Sequence, residues 1–164
     1  MFGFKFADKL QIEQLLPDLF CILHSNMSLI APTNNSYKDD FEMWSSYLIP
    51  AMKKEQRQIV LMYADDTLAG YFQYYINVDI NSLMMEEIQI AKEFQGTGIF
   101  SAFYKWLVEQ LPNDVESVEA YANKKNLKSQ SILKHLGLVE LGENKNGNSF
   151  YYKGAYVDLL NKYS

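Results

Sequence analysis

Met84-Met85-Glu86-Glu87-Ile88-Gln89-Ile90 leads through Ala91-Lys92-Glu93-Phe94 into Gln95-Gly96-Thr97-Gly98-Ile99-Phe100. Ser82 to Ile90 reads as a strand. The spacing of Phe100, Phe103, Tyr104 and Leu107 predicts a helix over 97–111, ended by Pro112. A strand therefore enters a turn with two glycines, and the turn opens a helix. Glycine lets the backbone approach a ligand with no Cβ in between. A helix start offers N–H groups without helical partners and the positive end of the dipole. Together these make an anion site suited to phosphate or pyrophosphate. A Walker A loop would need Lys-Ser/Thr after Gly98, where Ile99-Phe100 stands. A Rossmann turn would need a third glycine and a later acidic residue, and neither is present.

Working outward, Ile12, Leu15, Leu16, Leu19, Phe20 and Leu23 predict a helix over 8–24, with Asp8 as N-cap. Pro17 predicts a kink or a restart in it. Cys21 falls among the apolar positions and reads as a small core residue. Residues 25–36 read as loop. A second helix spans 38–54, with Phe41, Trp44, Tyr47 and Leu48 on one stripe. Strands are expected over 58–63 and 68–78, joined as a hairpin by Ala64-Asp65-Asp66-Thr67, and over 117–122. A helix over 127–136 is closed by Gly137. Strands 138–141 and 149–153 are joined by Asn146-Gly147, a hairpin signal. Strands mixed with helices after a leading hairpin imply an α/β sheet, partly antiparallel and partly parallel.

The chain has 164 residues, the size of one domain, so residues 1–164 are read as a single domain. At this length roughly 70% of the unfolded surface is buried on folding, so no disulfide or metal staple is needed. A lone cysteine and two distant histidines, His24 and His135, make no zinc set, and no metal is expected. No apolar run reaches membrane-span length, and Met1 to Lys9 is charged, so a cytoplasmic protein with no membrane partner is expected. The net charge of −5 argues against nonspecific nucleic-acid binding. Arg57 is the only arginine, so a phosphorylated ligand must rely on backbone amides and lysines.

Gln95-Gly96-Thr97-Gly98-Ile99 resembles motif A of the GCN5-related N-acetyltransferase (GNAT) superfamily, Gln/Arg-x-x-Gly-x-Gly/Ala after a strand. Asn126-Leu-Lys-Ser129 followed by Lys134-His-Leu-Gly137-Leu138 resembles its motif B. The resemblance covers residues 58–153 and implies the GNAT fold, a mixed and mostly antiparallel sheet flanked by helices. It implies acetyl transfer from acetyl-CoA, as cosubstrate, to a primary amine of a small molecule or peptide, by direct attack in a ternary complex. It places the pantetheine arm along Ile88 and Ile90 and the pyrophosphate on Gln95, Gly96, Thr97, Gly98, Ile99 and Phe100. It puts Asn126 and Ser129 at the cofactor, and offers Lys92, Lys124, Lys125 and Lys128 either as partners of the CoA 3′-phosphate or as lysines that simply face water. Two positions depart from the pattern. Phe100 stands where motif A has Gly or Ala, and Leu133 where many members carry an acid tyrosine.

The amine must lose a proton before it attacks, which calls for a general base. Glu86 and Glu87 are the candidates, and strand alternation lets only one face a cleft. Glu86 shares its face with Ile88 and Ile90. Asn34, Asn35, Tyr37, Tyr71, Tyr74 and Tyr75 are expected to line the amine pocket, and His24 and His135 to be structural. The acidic balance favours a cationic amine through steering. A second copy of the chain as homodimer partner stays open. So does an alternative function, a catalytically weak GNAT-fold protein that binds CoA as a sensor.

Overall fold

The computed structural model describes residues 1–54 and 57–164. β1 (Phe2–Phe6) is followed by α1 (Lys9–Met27), α2 (Tyr37–Met52), β2 (Gln58–Ala64), β3 (Thr67–Asn77) and β4 (Ser82–Ile90). A single 3-10 turn (Lys92–Phe94) then leads to α3 (Ile99–Gln110), β5 (Ser117–Asn123), α4 (Leu127–His135), β6 (Val139–Glu143), β7 (Ser149–Ala155) and α5 (Tyr156–Tyr163). The strands form a seven-stranded sheet in the order β1-β2-β3-β4-β5-β7-β6. β4 and β5 are parallel, with a helical crossover between them. The β1–β2, β5–β7 and β6–β7 pairs are antiparallel. The short connections after β2 and β3 permit only antiparallel neighbours there. The contacts divide the chain into two compact units, Met1–Gln73 with Glu87–Phe100, and Tyr74–Glu86 with Ser101–Ser164.

In the first unit α1 begins at a capping box. The Asp8 carboxylate accepts from the Gln11 N–H at 2.8 Å, and the Asp8 N–H donates to the Gln11 side chain at 3.0 Å. Two otherwise unpaired N–H groups are satisfied this way. The helix continues through Pro17 to Met27 without restarting, and so takes in residues expected as loop. Its buried positions are Ile12, Leu19 and Phe20. Cys21, one residue further round, is exposed and is not a core residue. Ile12, Leu19, Leu48, Ile59, Leu61 and Tyr71 form the core cluster, against which Trp44, Ile49 and Tyr63 pack.

β1 was not legible as a strand. It is short, carries Lys5 and Gly3, and lies at the sheet edge, where pairing with β2 (Phe2↔Ala64 to Phe6↔Val60) supplies what its pattern lacks. The β2–β3 turn puts Asp65 at φ 51°, and the N-terminal ammonium reaches the Asp65 carboxylate at 2.8 Å.

In the second unit Tyr104 of α3 contacts the Met85 sulfur at 3.5 Å and stacks on Tyr163 at 5.4 Å. Val118, Ala120, Ala122 and Tyr152 are buried, and α4 and α5 pack on β5, α5 also on β7. α5 has no counterpart among the helices expected from the sequence. Tyr156, Leu159 and Tyr163 are its buried face, but the helix follows β7 with no side-chain cap to announce it. The β6–β7 hairpin is wider than an Asn-Gly turn. Asn144 holds it, its side-chain oxygen accepting from the N–H groups of Asn148 and Ser149 at 3.0 Å each.

Candidate active site

Among the described residues the β4–β5 ladder runs from Ser82↔Ser117 to Met85↔Ala120, while β4 itself continues to Ile90. Ile88 and Ile90 are half-buried on this extension. At its end Ala91 donates to the Ala69 carbonyl at 2.8 Å and the chain turns. Gly96 and Gly98 take φ of 74° and 93°, the left-handed region that glycine enters without strain. Among the described residues, chain neighbours aside, no atom lies within 4 Å of where a Cβ would stand on either. Gly96, Thr97 and Gly98 are exposed, while Ile99 is 1% exposed and anchors the first turn of α3. The Thr97 hydroxyl donates to the Phe94 carbonyl at 2.5 Å and tightens the turn. The outcome is a helix start whose glycine backbone faces open space, as an anion site needs. Phe100 is half-buried.

A side-chain network fixes this turn from below. The Asn26 amide donates to the Ile90 carbonyl and to the Gln89 side-chain oxygen, each at 2.9 Å. Gln95 donates to the same Ile90 carbonyl at 2.9 Å and to the Asn26 oxygen at 3.4 Å. Gln95, read as a motif residue, thus works here through its side chain. Asn26 had no sequence signal, since its partners lie 63 and 64 residues away. Gln89 in turn donates to the Glu87 carboxylate. Burial, and then the Glu87 charge, hold the Tyr71 phenol well above its usual range. Both Glu86 and Glu87 are half-buried.

In the second unit Asn126 is the N-cap of α4, its side-chain oxygen accepting from the Ser129 N–H at 3.1 Å. Leu133 is buried in the core at 7% exposure. Lys124 pairs with Glu143 at 2.7 Å, and Lys92, Lys125 and Lys128 are exposed.

The expected pocket lining does not hold as a set. Tyr71 is a core residue at 1% exposure, and Tyr74 at 6%, its phenol pushed up to about 12 by burial. Tyr75 is half-buried. Asn34 is exposed, and Asn35 is tied to Asp40 at 3.2 Å. Tyr37 packs edge-on against Phe20 and His24 at 5.1 and 4.6 Å. His24 is thus part of an aromatic cluster of α1 and α2, and the His135 carbonyl accepts from Lys162.

The model of the acetyltransferase (GNAT) family matches residues 22–138. The chain belongs to this family. The match spans both the turn at Gln95–Phe100 and the α4 cap at Asn126, and the mixed, mostly antiparallel sheet is the GNAT fold that the motifs implied. No curated protein matches the chain. Solved structures share the GNAT fold at low identity. PaiA N-acetyltransferase from Thermoplasma acidophilum in complex with coenzyme A is 14% identical, with 95% of this chain and 99% of that one covered and a TM-score of 0.69. Aminoglycoside acetyltransferase AAC(6')-Ib in complex with coenzyme A is 16% identical over 100% of both chains, with a TM-score of 0.71. A variant of the spermidine N-acetyltransferase SpeG from Vibrio cholerae is 14% identical, with 99% and 98% covered and a TM-score of 0.66.

Proposed function

We propose that this chain is an N-acetyltransferase that moves the acetyl group of acetyl-CoA to a primary amine of a small molecule, by direct attack in a ternary complex. The observation that carries the reading is the turn Gln95–Phe100, where two left-handed glycines leave backbone open at the start of α3. Family membership and the coenzyme A named with two of the similar structures support it. Acetyl-CoA supplies an activated thioester whose thiol has a pKa near ~8.5 and so leaves without a strong acid. That suits a chain with Leu133 where an acid tyrosine would stand.

The chain's own residues then have separate tasks. The Gln95 N–H is taken by the Lys92 carbonyl at 3.3 Å, so the amides from Gly96 to Phe100 would hold the diphosphate, and the β4 backbone at Ile88 and Ile90 would align the pantetheine arm. Asn126 and Ser129 remain candidate cofactor contacts through the groups their cap leaves over, the Asn126 amide nitrogen and the Ser129 hydroxyl. A glutamate on β4 accepts the amine proton. Glu86 shares the alternation face of Ile88 and Ile90, which makes it the better candidate.

Two measurements test the reading. Acetyl-CoA binding only the folded state raises the melting temperature by mass action. No shift at millimolar acetyl-CoA would overturn the cofactor. Thiol release across a panel of amines tests transfer. Binding without release from any amine would favour the CoA-sensing alternative.

A further inference from the structure

A row of side chains runs from Glu87 on β4 to the residue where the glycine turn begins. The Gln89 amide nitrogen donates to the Glu87 carboxylate. The Gln89 side-chain oxygen accepts from Asn26 at 2.9 Å, and the same Asn26 nitrogen donates to the Ile90 carbonyl at 2.9 Å. Gln95 reaches that carbonyl from the turn, also at 2.9 Å, and donates to the Asn26 oxygen at 3.4 Å. Every member of the row belongs to the first unit, as does the turn up to Phe100.

The row has a direction. A main-chain carbonyl only accepts, so the atoms that Asn26 and Gln95 bring to Ile90 are amide nitrogens. The Asn26 nitrogen has a second N–H, which goes to Gln89. Gln89 meets it with its oxygen, and its own nitrogen is therefore turned toward Glu87. That end of the row must accept. An ionised carboxylate is an acceptor-only group, and a hydrogen bond to it is roughly twice as strong as a neutral one. The row thus has an acceptor at each end, and reversing a single amide sets donor against donor.

Burial makes each link matter. Gln89 is 8% exposed, and Asn26 and Glu87 are half-buried. A buried amide nitrogen that loses its acceptor is costly. Without the Glu87 carboxylate, Gln89 gains by turning its nitrogen elsewhere, which sets it against the Asn26 nitrogen and loosens the hold on Ile90. Alternation along β4 also separates the two glutamates. Glu87 and Gln89 lie on the side that meets Asn26 of α1, and Glu86 lies on the other side with Ile88 and Ile90.

We infer that Glu87 is a positioning residue for the cofactor turn. Its carboxylate orients Gln89, Gln89 orients Asn26, and Asn26 with Gln95 holds the Ile90 carbonyl from which the turn departs. CoA affinity therefore depends on a glutamate that acts through two amides. The inference rests on the reading of the turn as the cofactor site. It gives Glu87 a task separate from proton transfer, which is left to Glu86.

The test titrates CoA calorimetrically into the full chain and its variants. Glu87→Met keeps the reach of the side chain and removes the acceptor. It should weaken CoA about tenfold, within the range over which one residue acts on a site through others. Gln89→Met should weaken it by a similar factor. The double variant should be no weaker than Gln89→Met alone, because the row is then already cut between Glu87 and the turn. Glu87→Gln keeps an acceptor oxygen and should restore affinity to within about threefold of the unmodified protein. With an amine that is acetylated, the KM for acetyl-CoA should rise by the same factors, kcat should change far less, and the pH–rate profile should keep its shape. If Glu87→Met does not fold, Glu87→Gln carries the same test, with about threefold loss expected alone and none in the Gln89→Met background. Unaltered CoA affinity in the Glu87 variant that folds, or additive losses in the double variant, overturn the proposal. A kcat that falls ~10²-fold or more in Glu87→Gln and recovers at high pH overturns it too, because Glu87 would then be the base. Failure of the N-acetyltransferase reading is seen separately, as absence of any acetyl-CoA thermal shift in the unmodified protein, and the proposal then falls with it.

Discussion

The side-chain amide of Asn26 donates to the main-chain carbonyl of Ile90 at 2.9 Å, and Gln95 donates to the same oxygen. The last turn of α1 is thereby fastened to the residue where β4 ends and the glycine turn begins. Asn26→Asp keeps the size but removes both donated bonds and sets a carboxylate against two acceptor oxygens. Stability should fall by about 1–3 kcal/mol, as for buried acceptors left unsatisfied. Acetyl-CoA affinity should fall severalfold with it. Denaturant unfolding and ligand thermal shift measure the two, and a variant unchanged in both would mean that the network does not hold the turn.

Gly98→Val should abolish the acetyl-CoA thermal shift. The position has a φ of 93°, which a β-branched residue resists, and its open side is where the ligand would approach. Gly142→Ala is the control, at a glycine with equally open surroundings but without the left-handed backbone, and it should keep the full shift.

Gly70 on β3 is required by close packing rather than by its φ. A Cβ there would lie 2.3 Å from the Gln89 carbonyl oxygen and 3.1 Å from the Ile90 Cα, both backbone atoms that cannot swing aside. Gly70→Ala should cost about 1–3 kcal/mol by overpacking, and it should displace the end of β4 enough to weaken acetyl-CoA. A variant with unaltered unfolding midpoint contradicts this.

Glu86→Gln should lower turnover by ~10²–10⁴ while acetyl-CoA still binds, the range a general base contributes. Its residual rate should climb with pH as solvent deprotonates the amine. Glu87→Gln should retain most activity, because a glutamine can still bond to Gln89. The pH–rate profiles of the two variants decide, and a reversed result would make Glu87 the base.

Alkaline unfolding should report the buried tyrosines. Burial raises the phenols of Tyr71, Tyr74, Tyr104 and Tyr151 above their ordinary value. Below the unfolded value of ~10 both states keep these protons, and their contribution to stability is fully present. Above it the unfolded chain binds fewer protons than the folded one, so stability falls as pH rises. Melting temperature should drop from about pH 10 upward, with part of the phenolate absorbance withheld until the chain unfolds. Complete phenolate absorbance from the still-folded protein would show that these four hydroxyls are accessible.

The sequence by itself determined the glycine turn, the Asp8 cap, most helices and strands, and through two motifs the family. Each of these is a local matter: a glycine that must take positive φ, a cap three residues from its donor, an apolar period. Tertiary structure alone decided the rest. β1 exists because β2 pairs with it, and α5 because its short apolar face finds the second unit's core. Cys21 and Tyr71 exchanged their expected places because burial depends on what packs against a helix or strand, not on the residue's own pattern. Asn26 and the Glu119–Tyr151 pair were invisible for one physical reason. A hydrogen bond forms between groups brought together in space, and residues 64 or 32 positions apart leave no periodic trace of meeting.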